Sequence, residues 1–273
     1  MMPDAQTILC ASIAKPNRQT KTPVMHNAGF ERLGLNYVYL AFEVDDLAGA
    51  LAGMRALDIR GFSVSKPLKI SIIPYLDEID ETARAIGAVN TVLNENGKLK
   101  GLNSDWIGAI HALEEQVSLQ GKRVVVLGAG GVARAIVYGL KQRGAEISIL
   151  NRSPEAARKL ASDFGCSTPA DPANFLQLPE YDVLINATSV GFVPNVNDAP
   201  VSRAVLRQGA VVLDVVFNPM ETLFLQLAKE AQCRVVYGTR MLVLQGAFQF
   251  KLFTGHEAPV EVMETALLRS LTS

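Results

Sequence analysis

Residues 123–153 combine residue types and spacing that suit one chemistry. An apolar run at 124–127 ends in Gly128-Ala129-Gly130-Gly131-Val132-Ala133, and a helix-like stretch follows over 132–140. A second apolar run then ends in Asn151-Arg152-Ser153. Glycines allow the tight turn and let the backbone approach a diphosphate, while the following helix N-terminus points N–H groups at the anion. Ala133 occupies the third fingerprint position, which the pattern permits. A glycine trio alone is weak, but a strand before it and a helix after it favour a dinucleotide seat over a plain turn. NAD sites usually carry Asp or Glu about 20 residues past the glycines, to hold the ribose 2′-OH. Here Arg152 stands at that strand end, and Arg158 lies about a turn later. A guanidinium can clamp a phosphate bidentately, so the expected cofactor is NADP(H), with NAD as the alternative. The bland reading of both arginines is a solvated surface charge.

A hydride carrier needs a substrate pocket and a proton donor. Four segments offer them: Ser63-Val-Ser65-Lys66-Pro67-Leu-Lys69, Gly101-Leu-Asn103-Ser104-Asp105, Asn186-Ala-Thr188-Ser189-Val-Gly191, and Gly238-Thr-Arg-Met241-Leu-Val-Leu-Gln245. Reducing a ketone leaves an alkoxide that must take up a proton, and the reverse needs that proton removed. A lysine ammonium beside a carboxylate stays charged and can relay it. Taken singly, such a lysine is usually solvated and such an aspartate is usually a helix cap. Asn90 and Asn103 both donate and accept, which suits a polyol. Gln245 falls one helical turn after Met241 on the same face.

These segments need a scaffold. Strands are expected at 8–13, 37–42, 59–65, 89–93 and 98–102. Thr22-Pro23 reads as a helix start with a capping hydroxyl, and Gly34 as its end. Asp45 is expected to cap a helix whose Leu47, Leu51, Met54 and Leu57 share a face. Pro67 opens a further helix. Asn96-Gly97 signals a hairpin. Strand–helix alternation predicts a parallel sheet with crossover helices. Asp105 begins a helix, and further strands are expected at 183–186, 210–216 and 234–237. From Arg240 the chain is helical and is expected to return to the first domain. The fold class is thus α/β: a doubly wound parallel Rossmann sheet, and an α/β domain completed by C-terminal helices. The boundaries are 1–105 with 238–273 for the substrate domain and 106–237 for the dinucleotide domain, with the active site in the cleft between them.

The chain has 273 residues, 49% hydrophobic and 19% charged, with net charge -1. It can bury a full core, and near-zero charge argues against nucleic acid as the main partner. Three scattered cysteines, Cys10, Cys166 and Cys233, form no disulfide framework or metal motif. They read as small buried hydrophobes in a reducing cytoplasm. No metal site, signal peptide or membrane span is expected.

The order and spacing of the motifs resemble the shikimate dehydrogenase family over nearly the whole chain. The matching residues are Pro23-x-x-His26-Asn27, Pro67-x-Lys69, Gly87-Ala-Val-Asn90-Thr91, Asn103-Ser-Asp105, the glycine turn, Asn151-Arg152-Ser153, Asn186-Ala-Thr-Ser189, Asp214-Val-Val-Phe217-x-Pro219 and Met241-Leu-x-x-Gln245. The resemblance implies reversible NADP-linked oxidation of shikimate to 3-dehydroshikimate, a step toward aromatic amino acids. It implies Lys69 and Asp105 as the catalytic pair. Thr20, Thr22, Ser65, Asn90 and Gln245 would hold a polyol carboxylate. The glycine turn, Asn151, Arg152, Ser153, Thr188, Ser189, Val215, Gly238 and Met241 would hold the cofactor, with Met241 near the nicotinamide.

Several positions depart from the family pattern. Thr20-Lys21-Thr22-Pro23 replaces Ser-x-Ser-Pro, which keeps both hydroxyls; Lys21 is expected to point to water. Ser63-Val-Ser65 replaces Asn-Val-Thr and loses an amide, Phe217 replaces a tyrosine, and residues 12–18 lack the usual Gly-x-Pro. Lost hydrogen-bond partners weaken discrimination among polyols, so quinate with NAD or NADP is the alternative substrate. The other rivals fit less well. A cyclohydrolase-type folate dehydrogenase matches the Lys69 and Asp105 elements poorly. A ligand sensor would have no reason to keep that pair. His26 is expected to cap or pack a helix, and neither His111 nor His256 needs a chemical role. Monomer and homodimer both remain open.

Overall fold

The computed structural model describes residues 2–17, 19–171 and 173–272. Arg18, at the end of the divergent 12–18 segment, lies outside them. The chain divides into two compact units, Met1–Ser104 with Val243–Ser273, and Asp105–Leu242. Asp105 therefore opens the second unit rather than closing the first, and residues 238–242 also belong to the second unit.

The first unit contains β1 (Ile8–Ala14), α1 (Thr22–Leu33), β2 (Tyr37–Glu43), α2 (Leu47–Ala56), β3 (Gly61–Val64), α3 (Leu68–Ser71), β4 (Glu78–Ile79), α4 (Glu81–Ile86), β5 (Thr91–Glu95) and β6 (Lys98–Leu102). Its sheet runs β2-β1-β3-β5-β6-β4. The expected parallel sheet is only partly realised. β1 is parallel to β2 and β3, but β5 is antiparallel to both β3 and β6. The β5–β6 reversal is local, since Asn96 (φ 55°) and Gly97 (φ 87°) adopt the left-handed pair that a two-residue hairpin requires; the antiparallel pairing of β5 with β3 is set by how the intervening 65–90 segment packs.

Two helix signals moved by one residue. Asp46, not Asp45, caps α2 by accepting from Gly49 N–H. Thr22 lies inside α1, whose N-cap is Lys21 with no side-chain cap, although Gly34 does end the helix at φ 65°. Leu51 and Met54 are buried, but Leu57 lies past the helix end and is 73% exposed.

The second unit holds α5 (Asp105–Glu114), β7 (Arg123–Leu127), α6 (Gly131–Gln142), β8 (Glu146–Leu150), α7 (Pro154–Phe164), β9 (Val183–Asn186), β10 (Val211–Asp214), α8 (Leu223–Glu230) and β11 (Arg234–Val236). Its five strands are all parallel, in the order β11-β10-β9-β7-β8. Val124–Leu127 and Val183–Asn186 are buried throughout, as strands covered on both faces must be. The Rossmann-type order reverses direction between β7 and β9, and ligands of such sheets bind at the carboxyl ends of strands at that point.

Helix α9 (Gly238–Thr254) starts in the second unit and continues in the first, followed by α10 (Val260–Thr272). Two glycines let these helices seat closely. A Cβ at Gly29 of α1 would lie 2.8 Å from the Phe250 ring, and one at Gly61 of β3 would lie 2.2 Å from Phe253. Met263 and Leu267 of α10 are fully buried. Of the cysteines, Cys10 is buried and burial pushes its thiol up to about 12, but Cys166 and Cys233 are only half-buried.

Candidate active site

The nucleotide half is built at the sheet's reversal point. Gly128 follows β7 with φ 116°, a left-handed conformation that favours glycine. A Cβ there would lie 3.0 Å from Ala187 O, so the turns after β7 and β9 converge. Gly130 is the N-cap of α6 and has no side chain to fill the space before the helix. The first-turn N–H groups, at Gly131, Val132 and Ala133, have no carbonyl behind them in the helix and suit an anion. At the end of β8, Asn151 Nδ2 donates to Ser153 O (3.1 Å), and Ser153 Oγ caps α7 by accepting from Ala156 N–H. Arg152 is exposed between them and makes no ion pair among the described residues; the same is true of Arg158.

A buried cluster shapes the loops after β9 and β10. The Asp214 carboxylate accepts from Asn186 Nδ2 (2.9 Å), Val216 N–H (3.0 Å) and Thr222 Oγ1 (2.7 Å). Burial pushes Asp214 up to about 6, and those donors offset the shift only in part. Asn186 Oδ1 accepts from Thr188 N–H and Oγ1, so the Thr188 hydroxyl shapes the loop while Ser189 is exposed. Val215 N–H donates to Asn186 O. A Cβ at Gly238 would lie 2.4 Å from Val216 O, so only glycine fits where α9 starts beside β10. Met241, one turn on, is buried.

The residues expected to hold a polyol begin at the carboxyl end of β3. Ser65 N–H donates to Ile13 O, and its side chain is exposed. Lys69, half-buried on α3, accepts Val89 N–H on its own carbonyl at 2.8 Å, which ties α3 to the segment carrying Asn90. Asn90 is buried and its Nδ2 donates to Gln245 Oε1 at 3.3 Å. The structure thus brings together two residues 155 positions apart. Thr20 and Thr22 are half-buried with their hydroxyls 3.0 Å apart. Asn103 donates its amide N–H to Ala88 O, and Asp105 is buried in the first turn of α5. Lys21 does not point to water: its ammonium donates to Ser270 O at 2.7 Å, near the carbonyl-rich end of α10.

Sequence reasoning missed three neighbours of this half: Tyr39, Ser63 as a bridging hydroxyl, and Gln249. Tyr39 Oη donates to Ser63 Oγ, and Ser63 Oγ donates to Gln249 Oε1. The available signal was the four-residue spacing of Gln249 from Gln245, which puts both on one helix face. A cavity of about 720 Å³ lined by Thr7, Leu57, Arg60 and Asn94 lies at the opposite ends of β1 and β3 and contains none of these groups. Among the described residues, no His/Cys/Asp/Glu cluster could hold a metal ion, and no helix is long and apolar enough to cross a membrane.

Comparison with known proteins covers the chain in three consecutive stretches. The family model for the shikimate dehydrogenase substrate binding domain matches residues 13–92. The model for shikimate / quinate 5-dehydrogenase matches 111–217, and that for the shikimate 5'-dehydrogenase C-terminal domain matches 238–268. A shikimate dehydrogenase (NADP(+)) of Moorella thermoacetica is 44% identical over 98% of this chain and 95% of its own. The crystal structure of a shikimate dehydrogenase in complex with NADP+ superimposes with a TM-score of 0.93 at 41% identity, covering 100% of this chain and 98% of that one. A ligand-free 5-ketofructose reductase of Gluconobacter sp. strain CHM43 follows at 0.90 and 38%, covering 98% and 100%. With similarity of this extent running from end to end, the chain belongs to the shikimate dehydrogenase family.

Proposed function

We propose that the protein catalyses reversible, NADP-linked oxidation of shikimate to 3-dehydroshikimate. The observation that carries this reading is the pairing of a glycine turn at the β7/β9 reversal point with an unneutralised Arg152 at the end of β8. The glycines leave room for a diphosphate, and Arg152 suits a 2′-phosphate where an acidic residue would repel it. When bound, the nicotinamide accepts or returns a hydride. The chain does the rest. Lys69 and Asp105 manage the proton of the reacting hydroxyl, Asn90 and Gln245 hold ring hydroxyls, and the Thr20 and Thr22 hydroxyls hold the carboxylate. Ser65 completes the substrate set; Thr188, Ser189, Val215 and Met241 line the nicotinamide end. The first unit, Met1–Ser104 with Val243–Ser273, serves as the substrate domain and the second, Asp105–Leu242, as the dinucleotide domain. The setting is cytoplasmic.

Lys69→Ala should lower kcat by about 10²- to 10⁴-fold and leave the NADP KM unchanged. Reduced-cofactor absorbance measures it, and undiminished turnover in the variant sinks the mechanism. A broader polyol specificity is the second reading, favoured by Phe217, which packs edge-on against Phe192 and offers no hydroxyl. A substrate panel of shikimate, quinate and 5-ketofructose, each with NADP and NAD, separates the readings. No turnover with any pair would leave a ligand sensor.

A further inference from the structure

A directional hydrogen-bond relay runs through the first unit to Asn90. Tyr39 is fully buried and its hydroxyl donates to Ser63 Oγ at 2.5 Å. Ser63 then donates to Gln249 Oε1 at 2.7 Å. With its oxygen engaged, Gln249 aims Nε2 at β5, donating to Thr91 Oγ1 (2.8 Å) and to Asn90 O (3.2 Å). Thr91 therefore sends its own hydrogen onward, to Asn90 Oδ1 at 2.8 Å. Asn90 Oδ1 also accepts from Ser104 N–H at 2.7 Å. Its Nδ2 is left to face Ser104 Oγ (2.9 Å) and Gln245 Oε1 (3.3 Å).

The two ends of an amide have nearly the same shape and opposite hydrogen-bonding character. Packing alone therefore does not orient Asn90; the donors that reach its oxygen do. Thr91 can be one of those donors because its own oxygen already accepts from Gln249. Asn90, Thr91, Ser104 and Gln249 are all buried, where a mismatched polar pair is not rescued by water.

We propose that Gln249 is a positioning residue. Through Thr91, and alongside the Ser104 N–H, it holds the Asn90 amide so that Nδ2 meets Gln245 Oε1, and Gln245 Nε2 is thereby the donor presented to the polyol. This inference rests on the assignment of Asn90 and Gln245 to the substrate. At Ser63, where the family pattern carries Asn, the hydroxyl bridges Tyr39 to Gln249 inside the fold.

Gln249→Glu tests it, because a carboxylate accepts on both oxygens and draws the Thr91 hydrogen away from Asn90. With shikimate and NADP, the polyol KM should rise about tenfold while the NADP KM and kcat stay within about threefold. Thr91→Val keeps Gln249 and breaks the next link, and should give the same split. Because both act on one relay, the double variant should be no worse than the single ones. If Gln249→Glu fails to fold, Thr91→Val and its thermal midpoint carry the test. An unchanged polyol KM in Thr91→Val, or effects that add in the double variant, overturns the relay. Asn90→Ala distinguishes the two levels. An unchanged polyol KM there overturns the substrate assignment itself, whereas a raised KM with normal Thr91→Val kinetics overturns the relay alone.

Discussion

His26 is fully buried against the face of Tyr39, with ring centroids 4.4 Å apart and planes 13° from parallel. Neither ring nitrogen has a hydrogen-bond partner among the described residues. Burial drives its pKa down from the ordinary 6.5 to about 3, so the folded protein holds the imidazole neutral. The sign follows. Between those values the unfolded chain binds a proton that the folded one refuses, so stability is present above about 6.5 and falls as pH drops toward 3. His26→Phe keeps the ring stack and removes the titration. Urea unfolding should show the wild type losing on the order of 3 kcal/mol relative to the variant between pH 7 and pH 4. Parallel pH curves for the two proteins would contradict this. The motif containing His26 suggested helix packing more than chemistry, and packing is what its surroundings show.

The end of β8 and the start of α9 each depend on one residue. Arg152 projects from the turn between β8 and α7, and Asn151 and Ser153 on either side of it are engaged in that turn. Arg152→Ala should raise the NADP KM about 10- to 100-fold and leave NAD kinetics nearly unchanged. Equal effects on both cofactors would mean the guanidinium does not meet the extra phosphate. At α9, the neighbouring atoms of Gly238 are backbone oxygens of Val216 and Asp214, which cannot swing aside as a flexible side chain can. Gly238→Ala should cost about 1–3 kcal/mol of stability by overpacking. Denaturant midpoints measure it, and a neutral result would show that the helix start can shift.

The first unit is discontinuous in sequence and the second is continuous over Asp105–Leu242. Removing residues 255–273 takes away α10, with its fully buried Met263 and Leu267, from the face of α1. Losing one buried Leu or Met side chain costs about 2–5 kcal/mol, so two approach the entire stability of a domain. The truncated chain should lose shikimate turnover and most of its high-temperature melting transition. NADP binding, followed by fluorescence titration, should persist within a few-fold. Retained turnover would show that α10 is dispensable.

Local signals in the sequence were enough for much of this protein. Gly34, Asn96-Gly97 and the glycine turn specify backbone conformations through their own residue types, and buried strands such as Val183–Asn186 show as unbroken apolar runs. The motif order, compared along the chain, was enough to reveal the family. What depends on distant partners was not legible. Lys21 reaching Ser270, and β5 entering the sheet antiparallel to β3, were decided by packing. So was the direction of the relay, whose Gln249 and Asn90 lie 159 positions apart. A side-chain amide or hydroxyl can donate or accept equally well in an isolated chain. Only the tertiary structure, by fixing which neighbour reaches which atom, decides between them.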